Sequence, residues 1–147
     1  MEKIRLVTEY MTHINRLITF KPEQNIMDAI RLMLKHKITG APVLNADGDM
    51  IGMISEKDCL KVIVNSAYYN DMPGKVEDYM TTSLTTVSVD KNVEEVAEMF
   101  INSHFKRFPV VDKEGNLMGQ VSRYDILRAS QDMKFTTWED KALGYHS

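Results

Sequence analysis

Two short strings combine residue types that can do chemistry: Ser55-Glu56-Lys57-Asp58 and Ser122-Arg123-Tyr124-Asp125. Each follows a short apolar run and opens a helical pattern. A carboxylate in the first turn of a helix can accept hydrogen bonds from both hydroxyls of a sugar diol. The serine hydroxyl and the N–H groups of a helix N-terminus favour phosphate. The same Ser-x-x-Asp spacing is also a capping box, in which Ser and Asp satisfy each other's backbone N–H groups. Residue types alone leave both readings open, and the two are compatible. Basic residues lie nearby but unevenly. Lys106-Arg107 precede Phe108-Pro109, and Arg123 sits inside the second string. The corresponding positions of the first half hold Thr39-Gly40 and Glu56, with Lys57 beside them. An arginine suits phosphate through its planar fork, although surface Lys and Arg are also ordinary solvated charge.

Other chemistry lacks its residues. There is no Walker loop, no Gly-x-Gly-x-x-Gly, no HExxH and no nucleophile elbow, so no enzymatic reaction is expected. The one cysteine, Cys59, has no disulfide partner within the chain and falls inside a helical pattern, where it reads as buried and inert. No Cys/His cluster suggests zinc, and neither metal nor cofactor is expected. His36 and His104 are read as closing the first helix of each half, near its terminal carbonyls. The formal charge is 18 − 21 = −3, which supplies no basic field for nucleic acid. No apolar run is long enough to span a bilayer, and the N-terminus lacks the apolar core of a signal peptide. A cytoplasmic protein is the expectation.

The elements that position these strings come in two copies. Pro42, Val43, Gly48, Gly52, Ser55, Asp58 and Leu60 recur 67 residues later as Pro109, Val110, Gly115, Gly119, Ser122, Asp125 and Leu127. Thr19 and Asn25 recur as Thr86 and Asn92, and Tyr10-Met11-Thr12 as Tyr79-Met80-Thr81 with an offset of 69. Within each copy an apolar stretch (17–20; 84–89) reads as a strand. A helix with one apolar face follows, then a hairpin around a five-residue loop with Gly at its fourth position, then a second helix. The order is β-α-β-β-α, twice. The fold class is α/β (α+β): two tandem repeats packed sheet to sheet about a pseudo-two-fold axis, since one such unit buries little core alone. The expected division is 1–69 for the first repeat with its N-terminal segment, 70–130 for a Pro-Gly linker and the second repeat, and 131–147 for a polar tail. Trp138 in that tail is a dock against the body or a partner contact.

The paired Tyr-Met-Thr starts, the Ala41-Pro42-Val43 and Phe108-Pro109-Val110 strands, and the Gly52 to Asp58 and Gly119 to Asp125 stretches resemble a tandem cystathionine β-synthase (CBS) domain pair, or Bateman module. The resemblance covers about residues 4 to 130, and a stand-alone CBS protein is the expectation. It implies a regulatory module that binds adenosine-containing ligands of the AMP, ADP or ATP class in clefts between the repeats, and homodimers built through the modules. It implies ribose contacts at Asp58 and Asp125, with Ser55 and Ser122 as phosphate or cap partners. By the same resemblance Lys106 and Arg107 reach phosphate, with Lys57 and Arg123 as further candidates. Apolar faces and backbone groups for adenine are expected among Leu17, Ile18, Ile38 and Ala41 of the first copy and Leu84, Thr85, Phe105 and Phe108 of the second, with Thr19, Pro42, Thr86 and Pro109 as further ligand-binding candidates. Alternatives are an interaction protein with vestigial sites, and a sensor of S-adenosylmethionine or NAD. The regulated partner is not legible.

Overall fold

The computed structural model describes residues 3–69 and 72–133. Residues 134–147 of the expected tail, with Phe135, Trp138, Leu143 and Tyr145, and Asn70 and Asp71 of the linker, lie outside the described residues. In chain order the elements are β1 (Thr12–His13), α1 (Ile26–His36), β2 (Gly40–Leu44), β3 (Met50–Ser55), α2 (Glu56–Tyr68), β4 (Val87–Ser88), α3 (Val93–Ile101), β5 (Arg107–Val111), β6 (Leu117–Ser122) and α4 (Arg123–Ala129). The mixed α+β class and the repeated helix–hairpin–helix order are those the sequence implies, while β1 lies upstream of the strand expected over 17–20, which is reduced to a bridge at Phe20.

The repeats match in detail. Asn25 and Asn92 cap α1 and α3, accepting from Met27 N at 2.8 Å and Glu95 N at 2.9 Å. Ile26, Ala29 and Met33 bury one face of α1, and Val93, Val96 and Phe100 bury the same positions of α3. In the hairpins Gly40 pairs with Ser55 and Val43 with Gly52, while Arg107 pairs with Ser122 and Val110 with Gly119. Both ladders carry a bulge at the same place, Val43/Leu44 and Val110/Val111. Gly48 and Gly115 turn the loops at φ 83° and 84°, where a side chain would be strained. The two halves are thus related by a pseudo-two-fold operation.

The first strands are shorter than the sequence suggests. β4 pairs parallel with β5 over two residues, and Phe20 makes only a single bridge to Val43. Proline explains the difference. Val89 N donates to Val111 O at 3.0 Å, but its counterpart is Pro22, which has no N–H to extend the ladder.

Chain order and packing order differ at the repeat starts. Val7 and Met11 are buried in the second core, with Phe100, Phe108 and Val121. Val76 is buried in the first core, with Phe20, Ile26 and Ile54. β1 pairs with β6, so the N-terminal segment adds an edge strand to the second repeat's sheet. Thr81 returns the exchange by trading two backbone hydrogen bonds with Met53, at 2.8 and 2.9 Å. The exchanged segments also satisfy helix starts. Val93 N donates to Arg5 O and Ile26 N to Gly74 O. Between the sheets, Gln120 Nε2 donates to Gly40 O at 3.4 Å.

Candidate functional site

The exchange creates two clefts, each built from both repeats. The first, of about 410 Å³, joins Ser55, Lys57, Asp58 and Lys61 to Leu84, Thr85, Phe105, Lys106, Arg107 and Pro109. The second, of about 280 Å³, joins Ser122 and Asp125 to Leu17, Ile18, Lys37, Ile38, Thr39 and Gly40. Each cleft therefore takes its carboxylate from one repeat and its apolar wall from the other.

Both Ser-x-x-Asp strings form capping boxes. Asp58 Oδ2 accepts from Ser55 N at 3.0 Å and from Ser55 Oγ at 2.9 Å, and Asp58 N donates back to Ser55 Oγ at 3.2 Å. Ser122 and Asp125 repeat the backbone part of this box. The serines are thus occupied as caps, and phosphate contact is not their first task. Two of the early helical N–H groups are also taken, because Glu56 N donates to Thr39 O and Asp58 N to Ser55.

The box uses only one oxygen of each carboxylate. Asp58 is 6% exposed, and among the described residues its Oδ1 is approached by Thr81 Oγ1 at 3.5 Å and Lys61 Nζ at 3.8 Å. Asp125 Oδ1 accepts from Arg128 Nη2 at 3.1 Å. A capped aspartate in a cleft can therefore still accept from a ligand. Cap and diol readings are both physically available, with Asp58 the less committed of the two.

Charge in the clefts is positive. The first holds Lys57, Lys61, Lys106 and Arg107 against Glu56 and Asp58, or 4 − 2 = +2. The second holds Arg16, Lys37 and Arg107 against Asp125, or 3 − 1 = +2. Lys106 is held by Glu56 across the repeats at 2.7 Å, and that contact keeps the Glu56 carboxyl below its ordinary range. Arg107 donates to Thr39 Oγ1. Burial lowers the Arg107 pKa, while Glu56 and Asp58 oppose the shift.

Several expected contacts sit elsewhere. Ala41, Pro42 and Phe108 are buried, Ala41 in the first core and Phe108 in the second. The Phe108 ring packs against Phe100 at 4.5 Å and Phe105 at 5.8 Å, so it backs the wall that Phe105 forms. Thr19 and Thr86 line neither cleft, and the preceding residues Leu17, Ile18, Leu84 and Thr85 form the walls instead. Arg123 Nε donates to Phe105 O at 2.9 Å and so holds the loop rather than the cleft. His104 lies beyond the end of α3, stacked on Phe105 at 4.8 Å and lining the first cleft, while His36 ends α1 as expected. Cys59 is buried beside Met33, and burial pushes its thiol pKa up to about 11.

Arg16, Lys37, Lys61, Thr81 and Gln120 also line the clefts, beyond the site residues that the sequence suggests. Thr81 carried a signal in the repeated Met-Thr, but the others carried none. Lys37 holds φ 55° at the end of α1, where its N–H returns to Leu34 O and Ile38 N to Met33 O. That conformation favours glycine by about 1 kcal/mol. Lys37→Gly is expected to raise the melting temperature by about 3 °C. It should also weaken anion binding in the second cleft, and a melt paired with calorimetry reads both effects.

Comparison with known proteins agrees with this architecture. The CBS domain family matches residues 7–65 and 76–132. The chain belongs to the CBS domain family. Protein MJ1426 of Methanocaldococcus jannaschii is 32% identical over 157 aligned residues, which cover 86% of this chain and 92% of that protein. The chloroplastic CBS domain-containing protein CBSX2 of Arabidopsis thaliana is 30% identical, over 89% of this chain and 66% of that protein's length. A crystal structure of CBSX2 in complex with AMP matches this CBS pair at a TM-score of 0.78, with 30% identity, over 87% of this chain and 97% of that one. The CBS pair of MJ0100, in complex with 5′-methylthioadenosine and S-adenosyl-L-methionine, matches at 0.76 with 26% identity, over 90% and 100% of the two chains. No helix among the described residues is long and apolar enough to cross a membrane.

Proposed function

We propose that this CBS pair is a regulatory module that senses adenosine-containing nucleotides of the AMP, ADP or ATP class. The carrying observation is that each cleft combines a capped aspartate from one repeat with an apolar wall from the other and a net charge of +2. The aspartate suits a ribose diol, the wall suits a purine, and the charge suits phosphate. AMP and S-adenosyl-L-methionine in two similar CBS pairs support the same ligand class. The positive balance favours a phosphate ester over the sulfonium of S-adenosylmethionine. Gln120 lines the second cleft, and its Oε1 is buried without a partner among the described residues.

Signalling then follows from linkage. Each cleft spans both repeats, so a ligand that prefers one relative arrangement shifts the population towards it. The reading involves no catalysis. A homodimer is part of it, because α2 exposes Leu60, Ile63, Val64 and Tyr68 along one face, and α4 exposes Tyr124 and Leu127.

A thermal-shift series with AMP, ADP, ATP and S-adenosylmethionine tests the proposal. A phosphate-bearing nucleotide at a hundredfold its Kd is expected to add about 2.7 kcal/mol of stability. That is a rise of about 8 °C for a chain of this size. Light scattering of the same samples should give a dimer mass. Melting temperatures indifferent to every nucleotide would leave an interaction module with vestigial clefts.

A further inference from the structure

The pseudo-two-fold relation breaks at its centre. Arg107 and Gly40 are counterparts, 67 residues apart, at the starts of β5 and β2. The Arg107 guanidinium lies over Gly40, where a built Cβ would meet its Cζ at 2.6 Å. A side chain at position 40 would have to push this guanidinium from its place. One arginine thus fills the space of two, and its glycine counterpart makes room for it. Arg107 is also the one described residue that lines both clefts. Its fork bonds Thr39, which lines the second cleft. The carboxylates acting on it, Glu56 and Asp58, belong to the first.

We propose that Arg107 is a single cation shared by the two clefts, so that a phosphate-bearing ligand in one weakens the binding of a second in the other. This rests on the nucleotide reading above. A phosphate monoester carries a charge between −1 and −2 near neutral pH, and one guanidinium cannot neutralise two of them. The first ligand draws the fork to its own phosphate, and the second binds without it. A charge-assisted hydrogen bond of this kind is worth roughly a tenfold to hundredfold change in affinity. The other cations line one cleft each.

Calorimetry of AMP and of adenosine tests the coupling. Asp58→Ala, which weakens the first cleft, gives the constant of the second, and the tighter step of Asp125→Ala gives that of the first. The product of the two wild-type association constants, divided by the product of those single-cleft constants, gives a coupling factor. For AMP it is expected at about 0.1 or below. For adenosine, which has no phosphate, it should be close to 1. Arg107→Gln should bring the AMP factor towards 1 while weakening both clefts. Gly40→Ala keeps the arginine but displaces its fork from Thr39, and should lower affinity in the second cleft alone. Equal factors for AMP and adenosine overturn the sharing. So does a factor that stays low or falls in Arg107→Gln, because direct repulsion between phosphates would then be the cause. Failure of AMP to bind either cleft would instead overturn the nucleotide reading itself, and the sharing with it.

Discussion

Gly119→Ala is expected to destabilise the protein by about 2–3 kcal/mol, the upper range for overpacking a close contact. The reason lies in the exchanged segments. At Gly119 a Cβ would run into the carbonyl oxygen of Thr12, a backbone atom of β1, with Met11 Sδ at 2.9 Å beside it. β1 holds the N-terminal segment on β6, and Val7 and Met11 of that segment fill the second core. Neither backbone can retreat without opening that ladder. The counterpart, Gly52→Ala, is expected to cost about 1 kcal/mol. There the nearest atom is Met80 Sδ at 2.6 Å, at the end of a flexible side chain, and the Thr81 carbonyl stands off at 3.1 Å. Urea unfolding followed by circular dichroism should give midpoints in the order wild type, Gly52→Ala, Gly119→Ala. Gly115→Ala is a useful control. Its cost comes from a positive φ with open space around it, so its effect should not depend on the crossing segment. Equal midpoints for Gly52→Ala and Gly119→Ala would mean that the crossing strands are not held as described.

These two glycines show how far the sequence could be read. Their recurrence at an offset of 67 marks the repeat, and with it the order of elements, the hairpin register and the helix caps. All of these are local properties, set by spacing, turn residues and capping side chains. What the glycines accommodate is not local. The exchange of Thr12 and Thr81 between sheets depends on which hairpin edge each segment meets, and no periodicity within 6–13 or 75–81 encodes that. The cleft walls show the same limit. Thr19 and Thr86 stand out as identical residues, yet their less conspicuous neighbours Ile18 and Thr85 line the clefts. Phe108 beside Pro109 looks like a pocket residue and is core, because alternation along β5 turns it towards Phe100. The chain does name Arg107 as a phosphate candidate. That it lies between the clefts follows only from the paired positions of β2 and β5 in space.

Asp58→Asn is expected to weaken nucleotide binding in the first cleft by about 10- to 100-fold, with a small change in stability. The two oxygens of this carboxylate make the experiment decisive. Oδ2 supports α2 by accepting from Ser55 N and Oγ, and an amide oxygen can keep both bonds. Oδ1 is the oxygen left for a diol, and the substitution replaces it with an NH2 that donates instead of accepting. Cap and ligand contact are thereby separated in one side chain. Asp58→Ala removes both, so it should show the same affinity loss and an added destabilisation of about 1 kcal/mol from the lost cap. The second cleft should respond less. Asp125 Oδ1 already accepts from Arg128 at 3.1 Å, and a ligand there must share it. Asp125→Asn also leaves Arg128 without its carboxylate, which adds positive charge near a phosphate ligand and offsets part of the loss. The measurements are calorimetry with AMP and a thermal melt of the ligand-free protein. If the residue only caps a helix, Asp58→Ala will lower the melting temperature and both variants will bind AMP as the wild type does. If it holds a ribose, affinity will fall in both while stability falls chiefly in the alanine variant.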